Sequence, residues 1–163
     1  MQVHARRIGF LALVFGIAFL SAGRQVAAQA NPFLGQWELD RFKSVYEPIA
    51  TAPQKQIVTI TAATTAGQIT VTTKTWRNEV ANETSYTAGF DGKDYPTSAA
   101  NASVAFKRVN ANTLERTAKL LTDVAETATW SVSADGKQLT IKREGVDTQG
   151  TAYTSTALYN KVG

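Results

Sequence analysis

From Val104 to Arg143 apolar and polar residues alternate with a period of two. Val104, Phe106 and Arg108 interleave with Ala105 and Lys107, and Leu114, Arg116, Ala118 and Leu120 with Glu115, Thr117 and Lys119. Val124, Glu126, Ala128, Trp130 and Val132 make a third set; Leu139, Ile141 and Arg143 make a fourth. Successive side chains of a strand point to opposite faces, so the pattern predicts four β-strands, each with one buried face. Four charged residues fall on that face: Arg108, Arg116, Glu126 and Arg143.

The turns set the register. A three-residue loop at Asn110-Ala111-Asn112 places Phe106 opposite Arg116, Arg108 opposite Leu114, and Lys107 opposite Glu115 outside. The outer pair is then attractive, whereas a two-residue loop sets Lys107 against Arg116. Asp135-Gly136 predicts a two-residue hairpin that pairs Val132 with Leu139, Trp130 with Ile141 and Ala128 with Arg143. The turn at Leu120–Asp123 leaves the partner of Glu126 open, because a slip of one residue exchanges faces.

The rest of the chain continues the theme. A strand begins near Gln36, and Arg41 to Pro53 reads as an irregular connection. Strands at 54–62 and 67–76 pair Ile60 with Val71 and Ala62 with Ile69. Val80 to Phe90 puts Val80, Tyr86, Ala88 and Phe90 on one face; Asp91-Gly92 gives a second hairpin signal, and a short strand ends at Tyr95-Pro96. The last strand, 151–161, carries Tyr153, Ser155, Ala157 and Tyr159 on one face. About nine strands joined by hairpins, with no long helix, predict an all-β meander. Closure into an antiparallel up-and-down barrel of about 8–9 strands removes the exposed edges, and such a barrel holds one small ligand. A two-sheet sandwich needs longer crossovers. The outward residues include Lys74, Glu83, Lys107, Glu115 and Lys119, so the wall is not the apolar band of a membrane barrel.

Composition changes this picture at the N-terminus. Arg6 and Arg7, the apolar run Ile8 to Leu20, and Ala28-Gln29-Ala30 have the order of a signal peptide over residues 1–30. Cleavage near Ala30 leaves one domain, residues 31–163, in the periplasm or outside the cell. Arg6, Arg7 and Arg24 go with the leader, so most of the formal charge of +4 goes too. No basic run with interleaved aromatics remains, and nucleic acid is not an expected partner. The only His is His4, the only Met is Met1, and Cys is absent. A Ser-His-Asp triad, a Cys nucleophile and the usual zinc or copper ligand sets are thereby excluded from the mature chain. Asp91, Asp94 and Asp135 lack the ligand spacing of a calcium loop. No cofactor is expected, and catalysis resting on Glu126, Tyr and Arg alone is disfavoured.

The inward charges are the candidate chemistry. Three arginines against one carboxylate leave positive charge in a low-dielectric interior, which is costly without a partner. An anionic ligand supplies one, since guanidinium pairs with carboxylate or phosphate through two parallel bonds. Phe106, Trp130, Tyr86 and Tyr159 share the face and would surround an apolar or aromatic body. The competing reading is scaffold: one Arg stacked on Trp37 at a closed end, another paired with Glu126, the third in solvent. An exported small-molecule binding protein, monomeric, is thus the leading expectation. A protein-binding or inhibitory module with a filled barrel is the alternative.

Gly35-x-Trp37 at the first strand resembles the N-terminal signature of the lipocalins and the wider calycin group. That likeness implies a lipocalin-like barrel with Trp37 across its closed end. Residues 156–161 resemble the last strand of fatty-acid-binding proteins, whose Arg-x-Tyr pair holds the ligand carboxylate. Tyr159 matches the Tyr, but Ala157 stands where the Arg would be. The two-helix lid of those proteins has no counterpart.

Overall fold

The computed structural model describes residues 31–147 and 149–163. The expected leader lies outside the described residues. Eleven strands form one sheet: β1 (Gly35–Leu39), β2 (Val45–Glu47), β3 (Lys55–Ala62), β4 (Gln68–Arg77), β5 (Val80–Gly89), β6 (Tyr95–Pro96), β7 (Ala102–Asn110), β8 (Thr113–Leu120), β9 (Asp123–Val132), β10 (Gln138–Val146) and β11 (Ala152–Val162). Their order is β5-β4-β3-β1-β11-β10-β9-β8-β7-β6, with β2 also on β11. β1 pairs with both β3 and β11 and so ties the start of the meander to its end. The seam between β5 and β6 is crossed by the bridge Tyr86–Thr97 and by a 2.8 Å bond from Ser98 N to Ser85 O. The sheet is therefore a nearly closed antiparallel barrel.

Eleven strands replace the expected eight or nine. One addition is β2, inside the segment read as irregular. It has no alternation to announce it. It exists because Val45, Tyr46 and Glu47 pair with Thr156, Ser155 and Thr154 of β11. β1 and β2 thus run end to end along β11, and a 3₁₀ turn at Arg41–Lys43 bulges out between them. Past Asp91-Gly92 the chain does return antiparallel to β5, but only at the Tyr86–Thr97 bridge; Gly92 N bonds Phe106 O at 2.9 Å, and the β6 ladder is made with β7.

The long-range registers come out as expected, although two turns are built differently. Phe106 faces Arg116, Lys107 faces Glu115 and Arg108 faces Leu114. The turn between them has two residues, and a bulge between Arg108 and Asn110 restores the attractive pairing. Beyond Asp135-Gly136, Ala128 faces Arg143 and Trp130 faces Ile141. There Gly136 N bonds Ser133 O, and only Gly136 has positive φ, so this is a four-residue loop around an ordinary turn. On the open turn, Ala118 faces Glu126 while Lys119 faces Val124. The extra residue, Ala125, pushes Val124 out of the buried face, and it is half exposed.

Strand directions give the barrel a closed and an open end. The turns after β3, β7 and β9 share the closed end with Phe33 and Trp37, both fully buried. Trp37 Nε1 donates to Phe33 O at 2.9 Å, and Lys161 Nζ lies 4.9 Å above the Trp37 ring. The stacked cation is a lysine, not the arginine envisaged for the scaffold reading. Gly35 has a φ of +133°, and a Cβ there would sit 2.6 Å from Lys161 Cε. The glycine of Gly-x-Trp is what lets Lys161 cross over the ring. Val58, Ile60, Ile69, Val71, Phe106, Leu114, Trp130, Leu139 and Ile141 fill the interior above this plug. The turns after β4, β8 and β10 surround the open end.

Candidate functional site

One cross-strand row places the chemistry. Phe106, Arg116, Ala128, Arg143, Ser155 and Tyr46 are successive neighbours across β7, β8, β9, β10, β11 and β2. The next row toward the open end runs Ala118, Glu126, Gly145 and Tyr153. Arg116 and Glu126 are thus diagonal neighbours, within reach of long side chains. They form an ion pair, with side-chain exposures of 13% and 14%. Tyr153 reaches across Gly145 to donate to Glu126 Oε2 at 2.7 Å. A Cβ on Gly145 would lie 3.0 Å from the Tyr153 hydroxyl and 2.5 Å from Ala125 O. The absent side chain is therefore what brings tyrosine and carboxylate together.

Arg143 stands apart from this pair. It donates to the Tyr159 hydroxyl at 3.2 Å, and among the described residues it has no carboxylate partner. Tyr159 in turn donates to Gln56 Oε1, whose amide donates to Thr75 Oγ1 at 2.7 Å. Tyr46 is only 6% exposed, and its hydroxyl has no hydrogen-bond partner. Burial, reinforced by the nearby Tyr159 phenol, pushes the Tyr46 hydroxyl up to about 12. Burial likewise raises Tyr86, against the pull of the Arg116 and Arg143 guanidiniums. It also lowers Arg116, without approaching loss of its charge.

Some of these groups face a cavity of about 450 Å³ at the open end, while Arg116, Tyr86 and Tyr159 lie behind its lining. Tyr46, Thr51, Pro53, Gln56, Glu126, Arg143, Tyr153 and Ser155 line it, with Arg77, Val146 and Asp147. A second 3₁₀ turn, Ile49–Thr51, crosses its rim, held by a 2.7 Å bond from Arg77 to Thr51 O.

Of the eight residues expected in the site, the fold brings together Arg116, Glu126, Arg143, Tyr86 and Tyr159. Arg108 is corrected: it packs 4.2 Å above the Phe90 ring and donates to Ala111 O, near the closed end. Two residues along a strand move a side chain by about 6.6 Å, enough to take Arg108 from the cavity to the far rim. Phe106 and Trp130 pack edge-to-face at 5.4 Å in the filled interior, behind the cavity lining as Arg116, Tyr86 and Tyr159 are, with Trp130 6.0 Å from the Arg116 guanidinium and Phe106 6.0 Å from the Tyr86 ring. Tyr153 lines the cavity from the inward face assigned to it, whereas Tyr46, Gln56 and Arg77 are additions from the fold. Gln56 was signalled by its place on the face of Val58 and Ile60; Tyr46 had no such signal.

The fold matches solved calycin barrels. A fatty-acid-binding protein of Schistosoma mansoni in complex with arachidonic acid superposes with a TM-score of 0.57 at 18% identity, over 81% of this chain and 97% of that one. Zebrafish ileal bile acid-binding protein with cholic acid gives 0.48 at 15%, over 80% and 99%. The siderocalin Ex-FABP gives 0.39 at 12%, over 80% and 74%. No family model and no curated protein sequence matches this chain.

Proposed function

We propose that this calycin-fold barrel is an exported protein that binds a small organic anion in the open half of its interior. Arg143 carries the reading: it lines the cavity and, among the described residues, lacks a carboxylate partner, while Arg116 is already neutralised by Glu126. Guanidinium and the Tyr159 hydroxyl together suit a carboxylate or similar head group. An aromatic or apolar body then lies against the Tyr46, Pro53 and Val146 side of the cavity, not in the packed half. The fatty acid in the Schistosoma protein is consistent with a barrel of this fold holding an anion. The Glu126 carboxylate is already engaged by Arg116 and Tyr153, and the proposal is binding without catalysis, by a monomer.

The test is titration of tryptophan fluorescence with aromatic acids and their methyl esters, in wild type and in Arg143→Gln. Acids bind and esters do not, and the substitution weakens acids roughly 10- to 150-fold, the range for a charged hydrogen bond. Equal binding of esters, or an unchanged Arg143→Gln, rejects the anion site. One observation favours the alternative of a protein-binding module: Phe42, at the tip of the bulge between β1 and β2, is 100% exposed. Phe42→Ala leaves anion binding intact if the cavity is the functional site.

A further inference from the structure

The donors in and beside the cavity outnumber what one head group can use. Tyr46 presents a hydroxyl that is buried and without a partner. Arg143 presents an Nε–H in the same condition, and Arg116 another beside its ion pair. All three want an acceptor. They are rooted on β2, β10 and β8, and their row places Arg143 two strands from Tyr46 and two strands from Arg116. At 4.7–4.9 Å per strand, each separation is about 10 Å at the backbone. Two oxygens of one carboxylate can occupy the fork of Arg143, but they do not also reach donors that approach from both sides. A buried donor left without an acceptor is costly, so the arrangement selects for a ligand that brings several.

The filled interior points the same way. Leu114, Leu139 and Ile141 are fully buried, and Gln56, Ser155 and Tyr153 bring polar groups to the same cavity wall as Arg143. Among the described residues the interior below the cavity is packed with apolar side chains, so a ligand has the 450 Å³ at the open end to occupy.

Resting on the anion reading above, we infer that the ligand is a compact, oxygen-rich anion with at least two acceptor groups, of the dicarboxylate or phosphate-ester kind, and not a single-headed fatty acid. One acceptor group sits on Arg143 and Tyr159, and a second takes the Tyr46 hydroxyl.

Calorimetric titration with benzoate, phthalate, phenyl phosphate and decanoate tests this in wild type, Tyr46→Phe and Arg143→Gln. Phthalate or phenyl phosphate binds at least about tenfold tighter than benzoate, the scale of one added hydrogen bond. Whichever of the two is tighter identifies the acceptor as carboxylate or phosphate, and either result supports the inference. Tyr46→Phe removes the advantage by weakening phthalate and phenyl phosphate. Because that hydroxyl has no partner in the fold, the variant keeps its stability, which urea denaturation verifies. The inference is overturned if benzoate matches the doubly charged probes, if decanoate binds tighter than they do, or if Tyr46→Phe preserves the ratio. In those cases the anion site itself survives as long as Arg143→Gln weakens the probes. If no probe binds wild type, or Arg143→Gln binds them all equally well, the anion site and this inference fall together.

Discussion

Replacing Glu126 by Gln keeps the side chain's shape and its bond from Tyr153 but removes the charge that offsets Arg116. Both partners are largely out of water, at 13% and 14% exposure. Removing one member of a buried pair costs about 3–5 kcal/mol, because a bare charge is left behind. The residual contact with water at the cavity argues for the low end, so Glu126→Gln should lose about 3 kcal/mol. With a urea dependence of about 2 kcal/mol per molar, the unfolding midpoint falls by roughly 1.5 M. Anion binding should move the opposite way, since the carboxylate at the cavity wall is gone and a second guanidinium behind it is freed. Phthalate should then restore part of the lost stability, as any ligand of the folded state does. Adding Arg116→Met should recover most of the loss, because deleting both members of a buried pair is nearly neutral. A loss below about 1 kcal/mol in the single variant, or weaker anion binding, refutes the claim that this pair is a neutralised unit beside a free Arg143.

Three further outcomes follow from the geometry. Tyr46, Tyr86 and Tyr153 all have hydroxyls raised by burial, Tyr46 to about 12, so the fold favours their neutral forms. Their contribution is complete below the ordinary tyrosine value and is lost as pH climbs from about 10 toward 12; alkaline urea titrations with tyrosinate absorbance will show stability falling across that window, and a flat profile contradicts it. Gly35→Ala forces a side chain into a φ of +133° and against Lys161, and should cost about 1–3 kcal/mol in thermal or urea unfolding. Intact-mass analysis of exported protein should find Asn31 as the first residue, and material that retains Ile8 to Leu20 contradicts the leader assignment.

Much of this barrel was legible in the chain because the forces that set it are local. Period-two alternation assigns faces strand by strand, and an attractive Lys107–Glu115 pair or an Asp-Gly turn sets register across one hairpin. That is why Arg116, Glu126 and Arg143 were placed inward, and why Ala128 was placed opposite Arg143. The bulge before Asn110 shows the limit of turn counting: the side-chain pairing held, and the backbone adjusted to keep it. Only the tertiary structure decided which inward charges meet. Arg108 and Arg116 share a face in sequence, yet the length of the strand sends one to the Phe90 ring and the other to Glu126. Gly145 reads as an unremarkable strand glycine until Tyr153 is seen crossing it. Tyr46 belongs to a segment without periodicity, and it reaches the cavity only because β2 completes the broken first strand along β11. Such contacts depend on closure between the two ends of the chain, and closure is set by the whole sheet rather than by any stretch of it.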